Sequence, residues 1–207
     1  MTNEKIILTD DLYLGVGNHK TVYAHPTDKN LCVKILHTPD DPDFYKESRY
    51  RKALGSRADS MTLITKFFGE VETSKGTGYL FERVLDYDGK NCQTMLNVLD
   101  DTRADKKLLP ATEKLLLDFK RTYFDEKFLL AGVDPDNYLV QRTSPTERRV
   151  RIIDNIGIAT FIPLPYHFDY FALKRAKKYW GRFVDLMRSD YGDLFSAEFL
   201  RELGEMN

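Results

Sequence analysis

Residues 134–140 read DPDNYLV, and after a polar turn residues 150–157 read VRIIDNIG. Each segment places one oxygen-bearing side chain, Asn137 in the first and Asp154 in the second, beside an apolar run of strand-forming residues. Two such runs joined by a turn can pair as a hairpin and bring Asn137 and Asp154 together. An amide oxygen next to a carboxylate suits Mg²⁺, which takes oxygen ligands and usually shares them with substrate phosphates. The sequence therefore predicts a magnesium site at one end of this hairpin.

The composition is that of a folded protein with balanced charge. The chain has 207 residues, which suits one domain or two small lobes. It carries 31 basic and 32 acidic residues, so no global electrostatic attraction to nucleic acid or membranes is expected. A hydrophobic content of 42% and an aromatic content of 13% favour a folded protein over a disordered one. Nucleic acid is accordingly not among the expected partners.

The cysteines and the apolar segments bear on the location of the protein. Cys32 and Cys92 have neither the spacing of a metal site nor the number needed for a disulfide framework. The apolar run at residues 6–8 is shorter than the core of a secretion signal. No stretch reaches the roughly 18 apolar residues of a membrane span. A reducing cytoplasm is the expected location.

Strand patterns dominate the first part of the chain, and helical patterns dominate the second. Strands are predicted at residues 6–8, 12–16, 21–24, 31–36, 63–68 and 78–84. Helices are predicted at residues 43–54, 112–129, 168–189 and 196–203. A polar connector with a glycine lies at residues 86–90. We therefore predict an α+β protein with a β-rich N-lobe at residues 1–86 and a helical C-lobe at residues 87–207.

Two glycines lie between the predicted strands at residues 12–16 and 21–24. Gly15 and Gly17 would let the backbone approach a phosphate with no Cβ in the way. A dinucleotide-binding fold needs a helix to begin here, and a P-loop needs a Gly-Lys-Ser/Thr ending; the sequence has neither. Two interpretations remain, which are a glycine loop closing a hairpin as a lid over ATP, and an ordinary hairpin turn.

A lysine and a glutamate follow the glycine loop. Lys34 lies within the apolar strand at residues 31–36, where it can point at the α- and β-phosphates of a nucleotide or simply outward to solvent. Glu47 follows on the predicted helix and can orient Lys34 by an ion pair. Because Glu47 is flanked by Lys46 and Arg49, it can also belong to a solvated helix face.

The order of these features is more informative than any one of them. Glycine loop, strand lysine, helix glutamate, connector, asparagine loop and aspartate turn follow one another as a two-lobed kinase requires. The order predicts a protein-kinase-like fold with an antiparallel β-sheet N-lobe and a mainly helical C-lobe. ATP and Mg²⁺ are the expected cofactors.

The chain also resembles the bacterial PhoP regulatory network protein (YrbL-like) family of the protein-kinase-like superfamily. The resemblance is carried by residues 15–26, 33–35, 72, 76–79, 134–140, 154–157 and 162–164. It implies a small cytoplasmic bacterial protein connected with a two-component regulon.

The pattern departs from a protein kinase at the catalytic base. The base aspartate should lie five residues before the metal-binding asparagine. Counting back from Asn137 gives Gly132, which has no group to accept a proton. Asp134 is the nearest substitute, and it can serve as the base from a shifted position, repel the γ-phosphate, or simply form the turn before Pro135.

Three further features refine the expectation. The third glycine of the lid is replaced by Lys20, which can touch phosphate or point to water. Glu82 falls at the strand-to-connector position where adenine would meet backbone groups. The segment after Gly157 is too short for a long activation loop and has no Ala-Pro-Glu element, which favours a small-molecule or sugar acceptor over a peptide.

A basic amphipathic helix is predicted near the C-terminus, at residues 171–187. Such a helix can lie on an anionic membrane surface. The alternative, favoured by the balanced charge, is a helix that packs in the C-lobe and exposes a basic face.

Three interpretations therefore remain, of which two are functions of the nucleotide site and the third is a structural domain that binds no nucleotide. The first is phosphoryl transfer from ATP·Mg²⁺ to an unknown acceptor, with Lys34, Asp134 and Asp154 as the catalytic residues. Gly15, Gly17, Lys20, Lys34, Glu47 and Glu82 would then line the nucleotide, while Asn137 and Asp154 would hold the metal. The second is a pseudokinase that acts as a regulatory nucleotide- or partner-binding module.

Overall fold

The first part of the chain forms one antiparallel sheet with the strand order β1-β2-β3-β5-β4. The computed structural model describes residues 5–158, 160 and 162–206. The strands of this sheet are β1 (Tyr13–Val16), β2 (Lys20–Ala24), β3 (Leu31–Leu36), β4 (Phe67–Thr73) and β5 (Gly76–Glu82).

The two faces of β3 are both covered. Val33 is fully buried on one face, in a small apolar cluster with Leu8 and Tyr23. Cys32 and Lys34 alternate with Val33 and are also buried, since they lie on the other face of the pleated strand. A lysine buried on this inner face must find partners inside the protein, because burying an unpaired charge is costly.

One helix, α1 (Pro42–Leu54), connects the sheet with the rest of the molecule. It begins at Asp41, whose Oδ1 accepts hydrogen bonds from the backbone nitrogens of Asp43 and Phe44 at 3.0 and 2.8 Å. Near its other end, Tyr50 is buried in the large C-terminal core, where its hydroxyl lies 3.2 Å from the Leu129 nitrogen. The helix is thus held by both lobes.

The second part of the chain is mainly helical and carries a small three-stranded sheet. The sheet has the order β6-β7-β8. A short helix, α2 (Arg57–Ser60), lies between α1 and β4. The elements of the second part are β6 (Gln93–Thr94), α3 (Met95–Ala104), α4 (Leu109–Asp125), β7 (Tyr138–Arg142), β8 (Arg148–Ile152), α5 (Leu164–His167), α6 (Asp169–Tyr191) and α7 (Ala197–Gly204). The α+β class and the two-lobed kinase-like architecture are therefore confirmed.

The core of the C-lobe is aromatic and uses the apolar face of α6. Trp180 and Phe183 are fully buried and pack against Phe119, with ring centroids 5.3 and 5.7 Å away. Met187, one turn further along, is also buried. Three apolar residues of the helix predicted at residues 171–187 thus pack in the protein interior, whereas Phe171 of the same helix is exposed. None of the described helices has both the length and the apolarity to cross a membrane.

Some predicted boundaries differ from the structure. The strand predicted at residues 63–68 begins only at Phe67, because Leu63 and Ile64 are buried in the C-lobe core, and Ile152 donates a 2.7 Å hydrogen bond to the Leu63 carbonyl. The helix predicted at residues 112–129 ends at Asp125. Residues 6–8 contribute only an isolated bridge between Ile6 and Thr73.

Candidate active site

The hairpin of β7 and β8 places the two predicted metal ligands at one end. Its register pairs Tyr138 with Ile152, so Asn137 directly precedes the paired region and Asp154 follows it. The Ile153 nitrogen donates a 3.0 Å hydrogen bond to the Asn137 carbonyl, which extends the pairing to this end. The local sequence thus brings Asn137 and Asp154 to the same end of the hairpin.

The oxygen atoms at this end of the hairpin are of the type that binds Mg²⁺. Asp154 accepts hydrogen bonds at Oδ1 from Lys20 and from the Asn155 nitrogen, at 2.5 and 2.9 Å. Within the described residues, neither Asp154 Oδ2 nor the side-chain amide of Asn137 has a hydrogen-bond partner. One carboxylate oxygen and one amide oxygen therefore remain available as ligands.

Lys34 reaches from the N-lobe sheet to the same segment. Its side chain is buried, and its Nζ donates a 2.7 Å hydrogen bond to the carbonyl of Ile153, the residue before Asp154. The ammonium also lies 4.1 Å from the centre of the Phe81 ring. Burial, followed by the charge of Lys20, lowers the pKa of Lys34, while Glu47 and Asp154 oppose this change.

The partner of Glu47 differs from the sequence-based prediction. Glu47 is buried, but its Oε1 accepts hydrogen bonds from Arg51 Nε and Nη2 at 2.8 and 2.6 Å. In the described part of the chain, no carboxylate lies within ion-pair distance of Lys34. Arg51 lies one helical turn after Glu47, where a guanidinium pairs readily with a carboxylate. The predicted direct pair of Lys34 and Glu47 is therefore replaced by a pair within α1.

Lys20 points into the protein and contacts the predicted metal ligand. It is only 8% exposed, and its Nζ lies 2.5 Å from Asp154 Oδ1, across the interface between the lobes. Burial disfavours ionisation of Asp154, but Lys20 and Lys34 outweigh it and lower the pKa of this carboxyl group. Of the two interpretations of Lys20, a solvent-facing side chain is ruled out.

The glycine loop, which we define as residues 15–20, closes a hairpin between β1 and β2. The Gly17 nitrogen donates a 2.9 Å hydrogen bond to the Lys20 carbonyl. A Cβ on Gly15 would meet no described atom within 4 Å, and one on Gly17 only the Lys20 carbonyl oxygen, at 4.0 Å. Neither glycine has a positive φ, so neither backbone strain nor packing within the protein explains them.

The glycine loop is also tied to the start of α1. His19 Nδ1 lies 2.9 Å from Asp41 Oδ2, and Nε2 lies 3.7 Å from Asp43 Oδ2. This contact holds the loop above the buried face of β3. No local pattern predicts this contact, because the residues are brought together only by the packing of the hairpin on the helix.

Asp134 and Asn155 both approach Gly132. A Cβ on Gly132 would lie 3.2 Å from Asp134 Oδ2 and 2.9 Å from Asn155 Nδ2. Asn155, which the sequence analysis missed, has φ +55°, a conformation that asparagine tolerates better than most residues. A carboxylate thus lies beside the position of the expected base, although residue 132 itself cannot supply one.

The side chain of Glu82 is engaged within the protein. Its Oε2 accepts hydrogen bonds from Arg151 Nη2 at 2.6 Å and from the Lys66 nitrogen at 3.0 Å. Arg151 is 4% exposed and was also missed by the sequence analysis. Glu82 therefore joins β5 of the N-lobe to β8 of the C-lobe, and its backbone nitrogen is also engaged, since it donates a 2.9 Å hydrogen bond to the Lys66 carbonyl.

These features define a class of protein. A glycine loop and a strand lysine on one lobe face a hairpin with an asparagine and an aspartate on the other, in the order of a kinase-like domain. The chain belongs to the family described as "PhoP regulatory network protein YrbL", whose model matches residues 6–188.

Two relatives and one solved structure show how far the similarity extends. The "Uncharacterized protein YrbL" of Escherichia coli (strain K12) is 33% identical over 182 residues, which cover 86% of each chain. The protein of the same name from Shigella flexneri matches equally. The crystal structure of the BubR1 kinase domain aligns with a TM-score of 0.46 and 18% identity, over 70% of this chain and 46% of that one.

Proposed function

We propose that the protein binds ATP with Mg²⁺ in the cleft between the glycine loop and the Asn137–Asp154 end of the hairpin, and transfers a phosphoryl group to a small molecule. The observation that carries this proposal is the 2.7 Å hydrogen bond from Lys34 to Ile153. This bond brings the strand lysine to the segment that carries Asp154, although Lys34 and Ile153 are 119 positions apart in the chain.

Each group has a distinct task in this reaction. Lys34 would bind the α- and β-phosphates, and the glycine loop would cover them with its backbone. Asn137 and Asp154 would hold the metal, which neutralises charge on the phosphates when bound. Asp134 would take the proton from the acceptor hydroxyl. Because phosphoryl transfer depends mostly on positioning and charge neutralisation, a displaced base slows the reaction without abolishing it.

A surface cavity lined by residues between Ile158 and Lys178 supports a small acceptor. It has a volume of about 700 Å³, within the range of small-molecule sites. It combines apolar and basic side chains, namely Ile158, Thr160, Ile162, Pro165, Phe171, Lys174, Arg175 and Lys178. The cations favour an acceptor with a negative charge, such as a phosphorylated sugar. The two free cysteines and the balanced charge support a cytoplasmic setting.

Nucleotide binding is tested first. We expect ATP with Mg²⁺ to raise the melting temperature of the wild type, because a ligand at about 100 times its Kd stabilises by about 2.7 kcal/mol. Lys34→Met should lose this rise. Lys52→Met, on an exposed position of α1, serves as the control and should keep it. A wild type that shows no shift with any nucleotide would overturn the proposal.

A second candidate function is a pseudokinase that regulates a partner in a PhoP-type network, as the family description suggests. The glycine at position 132 and the contact of Lys20 with Asp154 favour it. Turnover separates the two candidates, because only the first requires phosphate to leave the nucleotide. A wild type that binds ATP but transfers no phosphate to water or to sugars would support the pseudokinase.

A further inference from the structure

Three charged groups meet beneath the glycine loop. Lys20 contacts Asp154 directly, and Lys34 donates to the carbonyl of the preceding residue, Ile153. Both lysines are buried, at 8% and 6% exposure, so water screens them little. Their positions follow from the sheet, since Lys20 pairs with Leu36 and Lys34 with Val22 in the register of β2 and β3. The two ammonium groups are therefore diagonal neighbours on one face.

The charges of Lys20, Lys34 and Asp154 do not sum to zero. Glu47, which would otherwise neutralise Lys34, is paired with Arg51. Lys20 and Lys34 together with Asp154 therefore leave one net positive charge. A kinase cleft with one lysine, its glutamate and a metal-binding aspartate would have a net negative charge and would need the metal to attract phosphates.

We propose that Lys20 is a built-in cation of this site, which lets the cleft bind a nucleoside di- or triphosphate without a divalent metal. Both carboxylate oxygens of Asp154 become available to Mg²⁺ only after Lys20 has moved from Oδ1 to the phosphates. This inference rests on the nucleotide site proposed above and specifies how that site depends on metal.

The location of Lys20 makes such a movement possible. Lys20 is the last residue of the glycine loop, and its carbonyl accepts the hydrogen bond that closes the loop at Gly17. A nucleotide under the loop would lie next to this ammonium, which contacts the hairpin at Asp154. Lys20 thus has two anionic partners of similar chemistry, the carboxylate in the free protein and the phosphates in the complex.

The test is calorimetric titration with ADP, in EDTA and in Mg²⁺. We expect the affinity of the wild type to change less than about threefold between the two conditions. In EDTA, Lys20→Met should bind ADP at least about tenfold more weakly than the wild type. Mg²⁺ should restore the ADP affinity of this variant, because the freed carboxylate of Asp154 then binds the metal. Asp154→Asn should bind ADP in EDTA at least as tightly as the wild type.

A double variant guards against a folding defect. Lys20→Met with Asp154→Asn removes both members of the pair and keeps the net charge of the site. It should bind ADP in EDTA at least about tenfold more weakly than Asp154→Asn and show no response to Mg²⁺, because it has neither the lysine nor the metal-binding carboxylate. The inference is overturned if the wild type binds ADP only with Mg²⁺ and Lys20→Met behaves identically, a result that leaves the proposed function intact. No ADP binding under either condition would remove both proposals.

Discussion

The carboxylate of Asp134 takes the place next to Gly132 that the side chain of residue 132 would otherwise fill. Asp134 Oδ2 lies 3.2 Å from the position of a Cβ on Gly132. An aspartate side chain at residue 132 would begin at that Cβ, so the two arrangements offer oxygen atoms in neighbouring positions. Asn155 Nδ2, 2.9 Å from the same point, adds an amide donor. Displacing the acid by two residues in the sequence therefore displaces it little in space.

Replacement of Asp134 tests its role as the base. Asp134→Asn keeps a residue that forms the same turn, so the fold should be unchanged. We expect phosphoryl transfer to slow by about 10²- to 10⁴-fold, the usual contribution of a general base, with unchanged nucleotide affinity. Asp136→Asn is the matched control, because Asp136 is an exposed carboxylate two positions away. Equal turnover of the two variants, measured with labelled ATP, would remove Asp134 from the mechanism.

Gly157 is the position where the site segment depends most on a glycine. It has φ +83°, and a Cβ there would lie 2.7 Å from the Lys46 carbonyl oxygen and 2.9 Å from Tyr50 Cβ in α1. Gly157→Ala should therefore lower the free energy of unfolding by about 2–4 kcal/mol, through the unfavourable φ and the forced separation from the helix. Urea denaturation measures this loss.

Gly181 supplies the matched control for that substitution. It lies inside α6, and a Cβ there would meet no described atom within 4 Å. Gly181→Ala should raise the free energy of unfolding by about 0.5–1 kcal/mol, because alanine favours helix. If both substitutions changed the free energy of unfolding in the same direction, the result would contradict the close packing of Gly157 against α1.

The ion pair of Glu82 and Arg151 should make stability depend on pH. Burial opposes ionisation of Glu82, but the hydrogen bonds from Arg151 and the Lys66 nitrogen lower its pKa below the usual 4.5. A lowered carboxyl pKa stabilises the fold above the ordinary value, and this contribution is lost as the pH falls through the folded value. The free energy of unfolding should therefore decrease below about pH 4.5, as chemical denaturation at several pH values would show.

Glu82→Gln should remove part of this dependence. We expect it to cost about 1.5–3 kcal/mol at pH 7, the range for a hydrogen bond to a charged group, and to make the loss of stability at acid pH less steep. Glu72→Gln, at an exposed position of the neighbouring strand β4, is the control. It should change neither the stability at pH 7 nor its dependence on pH. If the free energy of unfolding of Glu82→Gln fell as steeply with decreasing pH as that of the wild type, other carboxylates would be responsible for the loss.

Local patterns predicted much of the fold and part of the site. The apolar runs at residues 138–140 and 150–153 predict their hairpin because strand pairing across a short turn needs only neighbouring residues. The order of strands and helices predicted the two lobes for the same reason. The start of β4 was misplaced because Leu63 and Ile64 are as apolar as strand residues but pack in the other lobe.

The pairing of the charged groups could not be predicted from local sequence patterns. The spacing of Lys34 and Glu47 permits an ion pair, and Arg51 takes the glutamate because it is closer on the same helix face. The contact of Lys20 with Asp154 joins residues 134 positions apart, and no spacing rule reaches across that distance.

The chemical groups of the protein, their order and the local elements that carry them follow from the amino-acid sequence alone. The charge pairs of Lys20 with Asp154, Glu47 with Arg51, and Glu82 with Arg151 are instead set by the fold. Side-chain periodicity acts over a few residues, whereas an ion pair depends on distances that arise when helices, strands and lobes pack together.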